Sequence, residues 1–207
     1  MTRKTPQKPP RHPGDLRTAL IDAGLSILAQ DGLGALSLRA CAARAGVSHA
    51  APAHHFAGLP GLLTAIAARG YVIFTRTMID DRDAAAADPR AALIGICQGY
   101  LRFAREHPGL FTLMFNHAYA RMDDPDFETN AGAAYTVLAQ ACAPFQPVSG
   151  TPDSTEMMVW SQVHGLACLL QSKRLGPAPL RLATADITDI LPHLALKDSP
   201  GNLQPDR

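Results

Sequence analysis

The sequence predicts an all-α protein, and three observations carry that prediction. Apolar residues recur at helical spacing in segment after segment: Leu16, Leu20, Ala23, Ile27 and Leu28 early, then Leu93, Ile96, Cys97, Tyr100, Leu101 and Ala104, then Met157, Trp160, His164, Ala167 and Leu170. Glycine, proline and aspartate stand between these segments, where they end one helix or cap the next. No alternating apolar–polar pattern of useful length reads as a strand. At 207 residues, 47% hydrophobic and 18% charged, the chain is long enough to bury a core as one domain or two small ones.

Taken in order, residues 1–13 hold basic residues and four prolines (Pro6, Pro9, Pro10, Pro13), which predicts a flexible basic arm. A first helix is expected over 15–30, ended by Gly32 and Gly34. Ser37 can cap a second, in which Leu38, Cys41, Ala42 and Ala45 form one face. Gly46 ends that helix in the left-handed conformation, Val47 can drop into a core, and Ser48 can cap a third helix. Pro52, in or just after its first turn, should cost at most about one helical hydrogen bond.

A longer helix starts near Leu62, Leu63, Ile66 and Ala67 and runs to about Asp80, with Ile73 and Phe74 inward. The alanine run ending at Asp88 breaks before Pro89, and a helix follows over 90–106, stopped by His107-Pro108-Gly109. A short apolar helix spans Leu110 to Ala120, a turn falls at Asp123-Asp124-Pro125, and another helix spans Phe127 to Cys142. Residues 144–152 read as loop. Asp153 and Glu156 form a capping-box variant opening a helix to about Lys173. After a break at Gly176, Pro177 and Pro179, Thr184 caps a last helix through Leu196, bent by Pro192, and a disordered tail begins at Asp198.

Charge is distributed unevenly. Residues 1–56 carry seven Lys/Arg (Arg3, Lys4, Lys8, Arg11, Arg17, Arg39, Arg44) against Asp15, Asp22 and Asp31, a balance of +4; with a total of +1, the remainder carries −3. A basic front and an acidic back suit a protein that presents one end to phosphate. Cys41, Cys97, Cys142 and Cys168 form no CxxC pair and sit in apolar helical patterns, so they read as reduced core residues. No apolar run approaches about 18 residues and no signal-peptide core opens the chain, which leads to an expectation of no membrane span and a cytoplasmic location.

Helix, glycine turn and helix over Leu36–Phe56 is the layout of a helix-turn-helix, whose second helix enters the DNA major groove. The stretch, with Ala45-Gly46-Val47-Ser48 and a terminal His54-His55-Phe56, resembles the DNA-binding domain of the TetR/AcrR transcriptional regulators, and the likeness extends over residues 14–70. Trp160, His164 and Gly165 resemble the W-x3-H-G signature that names a C-terminal ligand and dimerisation domain type in that family. The resemblance implies a three-helix head (14–60), a helical effector-binding and dimerisation body (61–197) and a tail (198–207), about nine helices in a TetR-like fold.

It also implies roles. Ser37 would cap and touch phosphate, and Arg39 would reach guanine or phosphate. Ser48, His49, Ala50 and Ala51 would meet base edges, and His54 and His55 would contact phosphate. Ala53 stands where the family usually has tyrosine and Leu59 where it has lysine; each lost phosphate contact lowers affinity and salt dependence. The family acts as two-fold dimers on palindromic double-stranded operators, here through about 154–174 and 184–196, with helix 62–80 carrying the ligand signal to the head.

Phe103, Phe111, Met114, Phe115, Met122, Phe127, Met157, Trp160 and His164 can line a pocket for a small apolar or amphipathic effector, or simply form core. His49, His54 and His55 do not share a helical face, and no Cys or carboxylate completes a ligand set, so neither metal nor cofactor is expected. The reading is a ligand-responsive repressor. Its rivals are a helical binding protein that has lost DNA affinity and an all-α enzyme using His117 or His164, against which no nucleophile elbow or HExxH is present.

Overall fold

Helix α1 (Pro13–Gln30) opens the described part of the chain, and its buried Leu20, Ala23, Ile27 and Leu28 are the residues that set its period. The computed structural model describes residues 13–116, 118–121, 123–148, 151, 154–172, 187–191 and 194–197. The basic arm before Pro13, Met122, Asp153, the break near Gly176, the Thr184 cap and the tail lie outside these residues.

After a 3-10 turn at Leu33–Ala35, α2 (Leu38–Ala45) begins at Ser37, whose Oγ accepts the Ala40 N–H at 3.1 Å. It ends at Gly46, at φ 68°, where Val47 N–H reaches Ala42 O at 3.0 Å and Gly46 N–H reaches Ala43 O at 3.1 Å. These two bonds close the last turn and satisfy its carbonyls. Cys41 and Ala42 face inward, and Arg44 turns outward to Asp31 (2.7 Å), Gln30 (3.0 Å) and Ser26 (2.8 Å) on and after α1. Arg44 therefore ties α2 to α1 and does not add an unpaired charge to the head.

The segment expected as a third α-helix is a 3-10 turn, Ala51–His54. Pro52 supplies no N–H to Ser48 O, which instead accepts from Ala51 N at 3.0 Å; the tighter pattern continues with Ala53 N to Ala50 O at 3.2 Å. The Pro52 ring is buried.

Helix α3 (Gly58–Ala84) is the spine of the molecule and runs unbroken across the expected head–body boundary. Leu62 and Ile66 pack into the head, while Tyr71, Phe74 and Met78 belong to the body. By length and composition α3 is apolar enough to cross a membrane, which the sequence reading did not foresee, but 56% of that window is buried in the protein.

Helix α4 (Pro89–Glu106) starts at Asp88, whose Oδ1 accepts from Arg90 and Ala91 N–H, both at 3.0 Å. It meets α3 backbone to backbone. A Cβ added at Gly95 would stand 2.7 Å from Asp81 O, and one at Gly99 would stand 2.8 Å from Met78 Cα and Thr77 O. Arg102 closes the same seam with two bonds to Asp81, at 2.7 and 3.1 Å.

Helix α5 (Pro108–Phe115) is shorter than the expected 110–120 and packs on Gly70 of α3. Helix α6 (Pro125–Cys142) is capped by Asp124, which accepts from Asp126 and Phe127 N–H at 3.1 Å. Helix α7 (Thr155–Gln171) follows. The Glu156 carboxylate accepts the Tyr135 hydroxyl from α6, and its expected capping partner Asp153 lies outside the described residues.

Two expectations about the end of the chain are corrected. Within the supposed loop, Phe145–Pro147 forms strand β1, and within the supposed last helix, Leu194–Leu196 forms β2, paired antiparallel as Phe145↔Leu196 and Pro147↔Leu194. Among the described residues, helix α8 covers Ile187–Ile190. Cys41, Cys97 and Cys142 are buried as expected, and burial pushes the latter two thiols up to about 12; Cys168 is exposed, outside the core.

Candidate functional site

The molecule presents two candidate sites, one on the head and one inside the body. On the head, Ser48, His49 and Ala50 form the exposed turn after Gly46, with Ala51 half-buried behind them and His54 exposed one 3-10 turn on. His55 is half-buried, its ring 6.5 Å from that of Phe56, and Phe56 is core. Arg39 projects from the first turn of α2 and makes no ion pair among the described residues. Ser37 has its acceptor engaged in the cap, so any phosphate contact there would use its O–H as donor. Ala53 is exposed, whereas Leu59 packs against the core, so a charged side chain at 59 is replaced by packing. Arg17 connects this head to the body: its guanidinium lies 5.7 Å from the Phe56 ring centroid and 3.4 Å from Asp126 at the start of α6.

Inside the body, α3, α4, α5, α6 and α7 enclose a cavity of about 410 Å³ walled by Tyr71, Phe74, Tyr100, Phe115, Phe127 and Trp160, with Ala131, Gly132, Ala134, Tyr135 and Leu138 along α6. A second lobe of about 250 Å³ shares Tyr71, Phe115, Phe127 and Trp160 and adds Met114, Asn116, Ala120 and His164. The rings meet edge to face, Tyr71 on Phe127 at 5.2 Å and Phe74 on Tyr100 at 4.7 Å, which fixes the walls. His164 holds the Tyr100 hydroxyl at 2.7 Å through Nδ1 and has Cys168 Sγ 3.4 Å from Nε2. Desolvation lowers the His164 pKa and pushes the Tyr71 phenol up to about 12, so the lobes are uncharged at neutral pH.

Of the residues proposed from sequence, Phe115, Phe127 and Trp160 line the main lobe, and Met114 and His164 the second. Phe103 and Phe111 are buried in the packing around Phe74 and Tyr100 and line neither lobe. Met157 points to the surface, 63% exposed, because it lies on the outer face of α7. Met122 and the enzyme candidate His117 fall outside the described residues. Tyr71, Phe74, Tyr100 and Tyr135 were missed, although Tyr71, Phe74 and Met78 on α3, and Ala131, Ala134, Tyr135 and Leu138 on α6, keep helical spacing.

Two family models match the chain. "Bacterial regulatory proteins, tetR family" matches residues 20–66, and "Tetracyclin repressor-like, C-terminal domain" matches residues 93–190. The chain belongs to the TetR family of transcriptional regulators. As a member of that family it is a DNA-binding regulator with a ligand-binding body. Among solved structures, this TetR-family chain is 30% identical to a protein of unknown function from Rhodococcus sp. RHA1, with 89% of this chain and 97% of that chain covered and a TM-score of 0.69. It shares its fold with a TetR family transcription regulator from Marinobacter aquaeolei VT8 (18% identity, 86% and 95% covered, TM-score 0.58). It likewise shares the fold of the multidrug binding protein EbrR complexed with ethidium (23% identity, 86% and 99% covered, TM-score 0.57). No curated protein matches the chain.

Proposed function

We propose that this TetR-family protein is a cytoplasmic, non-enzymatic repressor that binds a palindromic operator as a homodimer and releases it when a small apolar or amphipathic effector enters the aromatic cavity. The observation that carries this reading is the pairing of an exposed helix-turn-helix face with an uncharged cavity, joined by one continuous helix, α3. Arg39, Ser48, His49, Ala50 and His54 supply donors and small surfaces to base edges and phosphate, with Ser37, Ala51 and His55 behind them. On α7, Met157, Ser161 and Cys168 are exposed on one face, with the half-buried Gly165 between them, and this stripe supports two-fold pairing through α7. EbrR, of the same fold, is complexed with ethidium, and an aromatic-walled cavity here supports a ligand of comparable apolarity.

The test is fluorescence anisotropy on the DNA upstream of the protein's own coding sequence, over a salt series. A sequence-preferring complex is expected. Arg39→Ala should weaken it about tenfold or more and reduce the log–log salt slope by about 2, as the loss of one phosphate contact from each subunit of the dimer requires. Binding that ignores sequence at physiological salt, or an Arg39→Ala protein with an unchanged slope, overturns the assignment.

A further inference from the structure

The charge around the cavity narrows its ligand further than size and apolarity do. Among the described residues, no lining side chain of the main lobe carries a formal charge. Helices α6 and α7, which make one side of it, contain no lysine or arginine but carry Asp126, Glu128 and Glu156. An anion entering here would lose its water and find no counter-charge. A delocalised cation would meet aromatic π-clouds on several sides, which attract positive charge.

One carboxylate is within reach of the cavity. Tyr135 lines the main lobe, is 45% exposed at its edge, and lies 6.0 Å from Trp160 ring to ring. Its hydroxyl donates to Glu156 at the start of α7, so the carboxylate stands one hydrogen bond beyond the cavity lining. The bond links α6 to α7 beside the cavity, and the phenol occupies the acceptor that a positively charged ligand would use. The hydrogen bond to Glu156 also raises the Tyr135 pKa, which keeps the phenol protonated and donating.

We propose that the effector is a flat aromatic cation, its ring system held among Tyr71, Phe74, Phe127 and Trp160 and its charge directed to Glu156, which Tyr135 yields on binding. This rests on the cavity being the effector site, and the experiment separates the two ideas. Trp160 is the only tryptophan, so its quenching reports occupancy directly. Full-length protein is titrated at about pH 8 with N-methylacridinium, a permanent cation, and with acridine, its uncharged near-isostere. The cation is expected to bind about tenfold tighter or more, since a close charge pair is worth at least that factor. Glu156→Gln should abolish the preference and leave acridine affinity unchanged, while Tyr135→Phe, which frees the carboxylate, should strengthen cation binding. Equal or tighter binding of acridine, or a cation affinity indifferent to Glu156→Gln, overturns the charge assignment and leaves the cavity standing. No quenching by either dye, or quenching that survives filling the cavity with Leu138→Trp as read by loss of dye fluorescence, overturns both.

Discussion

Replacing Gly99 by alanine tests whether α3 and α4 are as closely joined as the structure has them. The new Cβ would stand 2.8 Å from Met78 Cα and Thr77 O, whereas ordinary contact begins at 3.4 Å, so the helices must part by about 0.6 Å. Both obstructing atoms are backbone and cannot rotate away. Overpacking of this kind costs about 1–3 kcal/mol, and rigid neighbours place it at the upper end. Against that, alanine in a helix is favoured over glycine by about 1 kcal/mol. The net is about 2 kcal/mol of destabilisation, which for a chain of this length lowers Tm by about 4–8 °C. Gly132→Ala on α6 is the control: nothing lies within 4 Å of the added atom, so only the propensity gain remains and Tm should rise by about 2–4 °C. Differential scanning calorimetry of both variants without effector decides the matter. A Gly99→Ala protein as stable as wild type, or a Gly132→Ala protein losing as much as it, refutes the backbone-contact argument.

Two further outcomes follow from single groups. Ser37→Ala removes the acceptor of the Ala40 N–H and should cost about 1 kcal/mol in chemical denaturation, with Ser37→Thr close to wild type. The His164 pKa is depressed below its ordinary 6.5 by burial, so the folded state binds fewer protons than the unfolded chain. The stability from neutral His164 is therefore complete above 6.5 and lost as pH falls through the lower folded value. Thermal melts at about pH 7.5 and 5.5 should show a larger drop for wild type than for His164→Phe; parallel drops would exclude this histidine as the source.

How much of this was legible beforehand depended on how local the cause was. The Ser37 cap, the Gly46 terminator and the restart at Pro89 are decided within four or five residues, and the structure has them where the spacing put them. The β1–β2 pair was not legible: three residues carry no period, and each strand exists only because a partner some fifty positions away supplies its bonds. Pro52 was weighed as the loss of one bond, yet in so short a segment one bond decides between α and 3-10 geometry. For the cavity, counting Met and Phe in the second half favoured Phe103, Phe111 and Met157, whose positions on their helices send them into packing or out to the surface. The tyrosines carry the site as much as the phenylalanines do, and Tyr71 and Phe74 come from α3, a helix read from sequence as a connector.

The 3-10 form of Ala51–His54 has a consequence for how much sequence one subunit can read. At about 2.0 Å per residue, the four residues of the turn advance about 8 Å, which is the rise of about two base pairs of DNA at 3.4 Å each. Side chains three apart eclipse one another, so within this turn Ala51 and His54 fall one behind the other rather than fanning apart. On the proposed reading, so short a reach from the turn would leave the residues before it, and the spacing between paired half-sites, to carry much of the message.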